Sequence, residues 1–229
     1  ILGKGAEDEV VPFLPIIVSH DGKYFYLQKE YVFEKRLLRA LVAKNLGGPE
    51  SPSSYSPNNI FKKTSLSPQQ QKAVAQSLSH APFLLSGGPG TGKTHTVLAI
   101  LRAAIERELS SGRPVDSGFI SLAAPTGRAA RRLVESIQAS RAKEPYLREV
   151  DALLPGKSTT LHRLLGLPFG GGSPNYGPEV PLPARMVVVD EASMIDLRLM
   201  TYLFEALGPG TRLLLIGDKN QLPSVEPGA

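Results

Sequence analysis

The sequence contains no cysteine and no tryptophan. Without cysteine there is no disulfide framework, no thiolate zinc site and no thiol nucleophile. Its absence fits a reducing compartment without requiring one. Aromatic residues make up only 7% of the chain, so no rich platform for stacking bases is visible. No apolar run approaches the roughly 18 residues that a membrane helix needs, and no membrane partner is expected. The apolar stretch Val10–Val18 follows Glu7, Asp8 and Glu9, the wrong charge for a signal peptide. Glycine and proline number 22 and 20 among 229 residues, below the roughly 25–30% that marks low-complexity chains. Disordered and collagen-like chains are thereby excluded.

What is present is a globular composition, 41% hydrophobic and 21% charged. At roughly 100–200 residues per domain, the length allows one full domain and a smaller piece. The chain opens on Ile1 and closes on Pro227-Gly228-Ala229, and it reads as part of something longer. The net charge of +5 hints weakly at an anionic partner. Its distribution is more telling. Arg128, Arg131, Arg132, Arg141, Lys143 and Arg148 crowd one segment, opposed only by Glu135 and Glu144. Two readings stand: a solvated helix face, or a surface that contacts phosphates.

The first stretch reads as a small αβ unit. Pro15–Ser19 and Tyr24–Gln28 flank His20-Asp21-Gly22-Lys23, a strong hairpin signal. Lys29–Asn45 follows with a helical apolar stripe of Phe33, Leu37, Leu38, Leu41 and Val42. Residues 1–46 are therefore read as the end of an N-terminal module, too small to bury much core alone. Residues 47–63 are read as a linker, and 64–229 as the main lobe. In that lobe helices and strands alternate: a helix over Ser67–Ser79 with Ser67 as N-cap, a strand at Pro82–Leu85 and a helix over Lys93–Leu109. Then come a strand at Phe119–Ala124, a basic helix over Gly127–Ser140, and apolar strands at Met186–Val189 and Arg212–Ile216. Gly166–Pro183 is rich in Gly and Pro and reads as an excursion. The pattern implies an α/β fold, a parallel sheet flanked by helices with a small N-terminal α+β appendage; the motif Gly87-Gly88-Pro89-Gly90-Thr91-Gly92-Lys93-Thr94 within it marks the sheet as that of a P-loop NTPase, RecA-like.

Gly87-Gly88-Pro89-Gly90-Thr91-Gly92-Lys93-Thr94 fits the phosphate-loop spacing G-x-x-x-x-G-K-[ST], with a strand before it and a helix after it. Glycines let the backbone turn its N–H groups onto phosphate oxygens, and the new helix presents its positive end to the same anion. Lys93 is placed to reach the β- and γ-phosphates, and Thr94 to ligate Mg²⁺. His95 follows just inside the helix and is grouped with this nucleotide site, although packing is its commoner role. The strand Met186–Val189 ends in Asp190-Glu191. Asp190 would hold Mg²⁺, and Glu191 would polarise the attacking water as general base. A second acid beside the magnesium acid argues for water as the nucleophile. A guanine-binding N-K-x-D element is not present: Gly217-Asp218-Lys219-Asn220-Gln221 has those residue types in another order.

Further motifs carry a family resemblance. Leu66–Val74 resembles the Q-motif of superfamily 1 helicases, with Ser67 where Asn is usual. Ala124-Pro125-Thr126-Gly127-Arg128-Ala129-Ala130 resembles motif Ia, Asp190–Met194 motif II, and Gly217–Pro223 motif III. Thr160–Gly166 is similar to the T-x-H-R-L-L-G element of the RecD branch. In this order the set resembles RecD-type superfamily 1 helicases, the branch of the exodeoxyribonuclease V alpha subunit. The resemblance implies an ATP-dependent 5′→3′ motor on single-stranded or duplex DNA, a role in double-strand break repair and recombination, and a bacterial cytoplasmic setting. It implies ATP and Mg²⁺ as cofactors and the beta and gamma subunits of exodeoxyribonuclease V as partners. Gln70, or alternatively Gln71, would read adenine. Gln221 would sense the γ-phosphate. Pro125, Thr126, Arg128, Thr160 and His162 would touch DNA; for His162 a buried or capping role is the alternative. It also implies a second lobe carrying arginines, so that this stretch alone would turn ATP over slowly or not at all. Three other readings stay open: a free-standing RecD-like helicase, an assembly module with ATP as a structural ligand, and a clamp-loader-type ATPase. The last would need sensor arginines not found here and leaves Gly217–Pro223 unexplained.

Overall fold

The computed structural model describes residues 2–4, 15–19, 21–45, 55–79, 81–88, 90–168 and 172–218. The apolar runs pair into one parallel sheet. Its strands are β4 (Phe83–Ser86), β5 (Ile120–Ala124), β6 (Thr159–Thr160), β7 (Met186–Val189) and β8 (Arg212–Gly217), in the order β4-β8-β7-β5-β6. Three strands of three residues each, β1 (Leu2–Lys4), β2 (Ile16–Val18) and β3 (Phe25–Leu27), form a separate N-terminal sheet. β2 and β3 are the expected hairpin, with Gly22 at φ 73° in the turn; β1 joins β2 in parallel and has no clear sequence signal.

Alternation along the strands explains the two hydrophobic layers. Leu122, Val188, Leu214 and Ile216 enter one cluster, and Ala123, Val187, Val189 and Leu213 the other. The helices are α1 (Gln28–Asn45), α2 (Asn58–Lys63), α3 (Pro68–Ser79), α4 (Lys93–Ser110), α5 (Gly127–Lys143), α6 (Arg148–Ala152), α7 (Leu161–Leu164) and α8 (Leu197–Ala206). Residues of α3, α4, α5 and α6 line the first cluster; α1, α7 and α8 line the second. Each face of the central strands is thus covered, which is why Met186–Val189 and residues 213–216 are uninterruptedly apolar.

The N-terminal unit leans on the lobe through α1. Arg36 donates two hydrogen bonds to Glu205 at 2.8 and 2.6 Å, and Lys44 donates to the carbonyls of Leu207 and Gly208. Two expectations need refinement. The span read as a linker carries α2 from Asn58, and Ile60 is fully buried in the main core. Its apolar pair, Ile60 and Phe61, is too short a signal to be read as a helix. The glycine- and proline-rich excursion forms no regular element over its described residues, yet it is packed. Leu182 is buried, its N–H donates to Ala206, and the N–H groups of Asn175 and Tyr176 donate to Leu165.

α4 is the central helix, buried along most of its length, including Arg102, Glu106, Arg107 and Glu108. Arg102 is 1% exposed, so its charge requires compensation. It donates to both carboxylate oxygens of Asp151, at 2.8 and 3.0 Å, and to the Glu144 carbonyl at 2.8 Å. The Tyr146 ring lies against the guanidinium. These bonds hold the α5–α6 connection against α4.

Candidate nucleotide-binding site

In a parallel sheet every strand ends at the same edge, where ligands are usually bound. Here that edge collects the phosphate loop after β4, Thr126 after β5, Thr160 at the end of β6, Asp190 after β7 and Asp218 after β8. The phosphate loop and the acidic pair, about a hundred residues apart in sequence, become near neighbours because β8 alone separates β4 from β7.

The loop geometry depends on glycine at two positions. Gly90 and Gly92 have φ of 75° and 79°, the left-handed region. At Gly92 a Cβ would also meet Gln70 Nε2 at 2.6 Å. Lys93 opens α4 and donates to the carbonyl of Gly87 and, at 2.9 Å, to that of Gly88. Thr91 Oγ1 donates to the Gly88 carbonyl at 2.9 Å. Around Gly88 and Gly90 a Cβ would meet no atom within 4 Å. Pro89 lies outside the described residues.

Opposite stands Asp190, partly buried, whose Oδ1 accepts the Glu191 N–H at 2.9 Å. Burial pushes its carboxyl above the usual range, against the Glu191 N–H and the nearby Lys93 ammonium, which favour its charge. A partly desolvated carboxylate beside a phosphate loop has the chemistry of a Mg²⁺ ligand. Glu191 is the one non-glycine residue with positive φ among the described residues, at 52°. Such a conformation costs roughly 1–3 kcal/mol and concentrates at functional positions. Ser193 Oγ is buried without a hydrogen-bond partner among the described residues. The open cradle, the half-buried acid and this unsatisfied hydroxyl fit a bound nucleotide and its metal. Gln221 lies outside the described residues.

Gln70 is in reach of the loop. Its carbonyl oxygen accepts the Ser67 N–H at 2.8 Å while Ser67 Oγ accepts the Gln70 N–H at 3.3 Å, a reciprocal cap on α3. Its amide nitrogen lies 3.5 Å from the Gly92 carbonyl oxygen, at the outer edge of hydrogen-bond range. Gln71 instead donates to the Leu66 carbonyl at 3.1 Å. His95 faces Glu144, with 2.6 Å between Nε2 and Oε2.

The remaining expected residues gather at the β6 edge. Thr126 Oγ1 caps α5 by accepting the Ala129 N–H at 3.2 Å, and Thr160 Oγ1 caps α7 by accepting the Arg163 N–H at 3.3 Å. The pairing of Ala124 with Thr160 sets the two strand ends side by side. Beside them runs a groove of about 920 Å³ lined by Arg131, Glu135, Lys157, Thr160, His162 and Arg163, among others. His162 is exposed, so the buried alternative for it does not hold. Pro125 and Arg128 flank the start of α5, Arg128 exposed. Lys157 carries no sequence signal of its own, because it lies in a loop that only the β5–β6 pairing brings to Arg131.

Residues 70–227 match the family described as AAA domain. The chain is 38% identical over 221 residues to the RecBCD enzyme subunit RecD of Mycobacterium tuberculosis, covering 94% of this chain and 36% of that protein. It is 32% identical over 231 residues to the ATP-dependent RecD2 DNA helicase of Deinococcus radiodurans, covering 99% of this chain and 28% of that one. Among solved structures, Bacteroides Pif1 bound to ssDNA is similar at 26% identity and a TM-score of 0.42, covering 71% of this chain and 34% of that one. The chain thus spans about a third of the length of the curated relatives it matches. No helix among the described residues is long and apolar enough to cross a membrane. With the phosphate loop and the Asp190-Glu191 pair joined across one strand, and with these relatives, the chain belongs to the AAA-domain family, in the branch of the RecD-type superfamily 1 helicases.

Proposed function

We propose that the chain is the ATP-binding lobe of an ATP-dependent 5′→3′ DNA helicase. In this reading the parent is the RecD-like alpha subunit of exodeoxyribonuclease V, working with beta and gamma subunits in double-strand break repair. RecD subunits match at 31–38% identity and RecD2 at 32%, so a free-standing RecD-like helicase is the alternative reading. Residues 64–229 form the first motor lobe, and residues 1–46 the end of a module that precedes it.

The observation that carries the reading is the meeting of the phosphate loop with Asp190 and Glu191 across β8. The loop N–H groups and the N-terminus of α4 bind the phosphates of ATP. Lys93 exchanges the Gly87 and Gly88 carbonyls for β- and γ-phosphate oxygens and neutralises their charge. Thr94 and Asp190 would hold Mg²⁺, which supplies Lewis-acid stabilisation of the phosphate charge. Glu191 takes the proton of the attacking water. Gln70 reads the adenine edge, and Gln221 reports the γ-phosphate to the DNA side. DNA phosphates lie along Pro125, Thr126, Arg128, Thr160 and His162, with Lys157 and Arg163 adding charge to the groove.

The test is Glu191→Gln in the full-length protein. DNA-stimulated ATP turnover is expected to fall about 10²–10⁴-fold, with nucleotide affinity retained. Turnover within a few-fold of wild type would refute Glu191 as the base. Unwinding that survived while turnover was lost would favour a structural role for ATP.

A further inference from the structure

Behind the phosphate loop the side chains close a ring that no motif describes. His95, three residues beyond Gly92, pairs with Glu144 at 2.6 Å. Glu144 is the C-terminal cap residue of α5, and its other oxygen accepts both the N–H and the hydroxyl of Ser65, at 2.7 and 2.9 Å. Ser65 lies two residues before Ser67, which is bonded in both directions to Gln70. Gln70 returns to Gly92, whose carbonyl also accepts the Thr96 N–H at 3.0 Å. Three elements meet on one carboxylate: the nucleotide helix α4, the approach to the adenine-side helix α3, and the far end of α5.

The other end of α5 is the one that begins at Thr126 and Arg128. The helix has 17 residues, a span of about 25 Å. On its buried side Ala129 and Ala130 pack with Ala124, and Leu133, Val134 and Ile137 pack in the main core. Its C-terminal end is anchored again by Arg102, which donates to the Glu144 carbonyl. Such a helix moves as a rod, because a packed interior resists local deformation. A displacement at its basic N-terminal end is therefore delivered to Glu144. Burial alone would raise the Glu144 carboxyl, but the Ser65 N–H, His95 and the Ser65 hydroxyl outweigh it and hold it below the usual range. These neighbours thus favour an ionised, well-directed acceptor.

We propose that Glu144 is a positioning residue that couples single-stranded DNA at the start of α5 to nucleotide at the phosphate loop, through His95 and the Ser65–Gln70 segment. The proposal rests on the reading of the site as an ATP- and DNA-binding lobe. Adenine competes for the same Gln70 amide that faces Gly92, so a shift of Ser65 changes how readily Gln70 is released to the base. Glu144 touches neither ligand. Its effect is on their linkage, not on the chemical step.

The experiment measures affinity of the full-length protein for a fluorescent, non-hydrolysable ATP analogue, with and without single-stranded oligothymidylate. For the wild type, DNA is expected to change that affinity about fivefold or more. In Glu144→Ala the ratio is expected to collapse to about one, with an unchanged far-ultraviolet spectrum. Glu144→Gln, which keeps an acceptor for Ser65 and weakens the link to His95, should retain part of it. Gln138→Ala, exposed on the same helix, should retain all of it. Undiminished linkage in Glu144→Ala, or a wild type that binds both ligands independently, would overturn the proposal while leaving the motor reading in place. A wild type that bound no nucleotide would overturn both.

Discussion

At the β4 end of the sheet the backbone does the holding. Gly90 and Gly92 take left-handed angles, Lys93 rests on two loop carbonyls, and Glu191 is kept in a conformation that its type resists. At the β6 edge the groove is formed by exposed side chains. Arg131, Lys157, His162 and Arg163 line it, and all four are exposed. On the proposed reading, the difference follows from the ligands each region would take. A triphosphate bound for in-line attack needs donors fixed in advance, so that no reorganisation is required during reaction. A polyanion that must slip past needs charge without a fixed grip, since neutralising phosphates gives affinity largely through counterion release.

The largest expected effect tests the rigid end. Lys93→Ala in the full-length protein should lower ATP turnover about 10²–10³-fold. Measured without nucleotide, its affinity for single-stranded DNA should stay within about twofold of wild type, by fluorescence anisotropy. A parallel fall in DNA affinity would break the separation between the two regions. The groove answers to a different probe. Lys157→Glu with Arg163→Glu should weaken nucleotide-free binding of single-stranded DNA. It should also flatten the dependence of log affinity on log salt by about 0.7 for each DNA phosphate that is no longer neutralised. An unchanged slope would move the strand path off this groove and leave only the start of α5. The smallest effect is on stability. Glu191→Gly relieves the left-handed strain at φ 52° but adds backbone entropy, and should raise unfolding stability by about 1 kcal/mol or less. Thermal unfolding of the variant checks this, and a lowered Tm would mean that Glu191 is not strained in the native site.

Legibility in the sequence follows how local the information is. The phosphate loop can be read because its residues are contiguous and its glycines answer to a local backbone need. The central strands can be read because burial on two faces demands unbroken apolar runs, as at Met186–Val189 and residues 213–216. The cap of α3 is half legible: Ser67 stands out as an N-cap, while its reciprocal bond with Gln70 emerges only in the folded chain, although the S-x-x-Q spacing carries the signal. Helix α2 is hidden in a segment that composition assigns to a linker, because a single fully buried isoleucine leaves no periodic trace. β6 is only Thr159–Thr160; threonine favours strands, but two residues are too short a run to be read without the pairing to β5.

His95 shows the limit most clearly. Its position beside Thr94 suggests the nucleotide, yet its imidazole meets a carboxylate 49 residues away. The sequence alone determined that this chain carries a phosphate-binding turn, a paired acid on a buried strand and a basic helix, since each is a short-range pattern with a local physical cause. Only the tertiary structure decided that β8 separates the first two by a single strand, that Lys157 and Arg163 join Arg131 in one groove, and that Glu144 ties α3, α4 and α5 together. Those relations depend on strand order and helix packing, in which side chains far apart along the chain meet only after the sheet has formed.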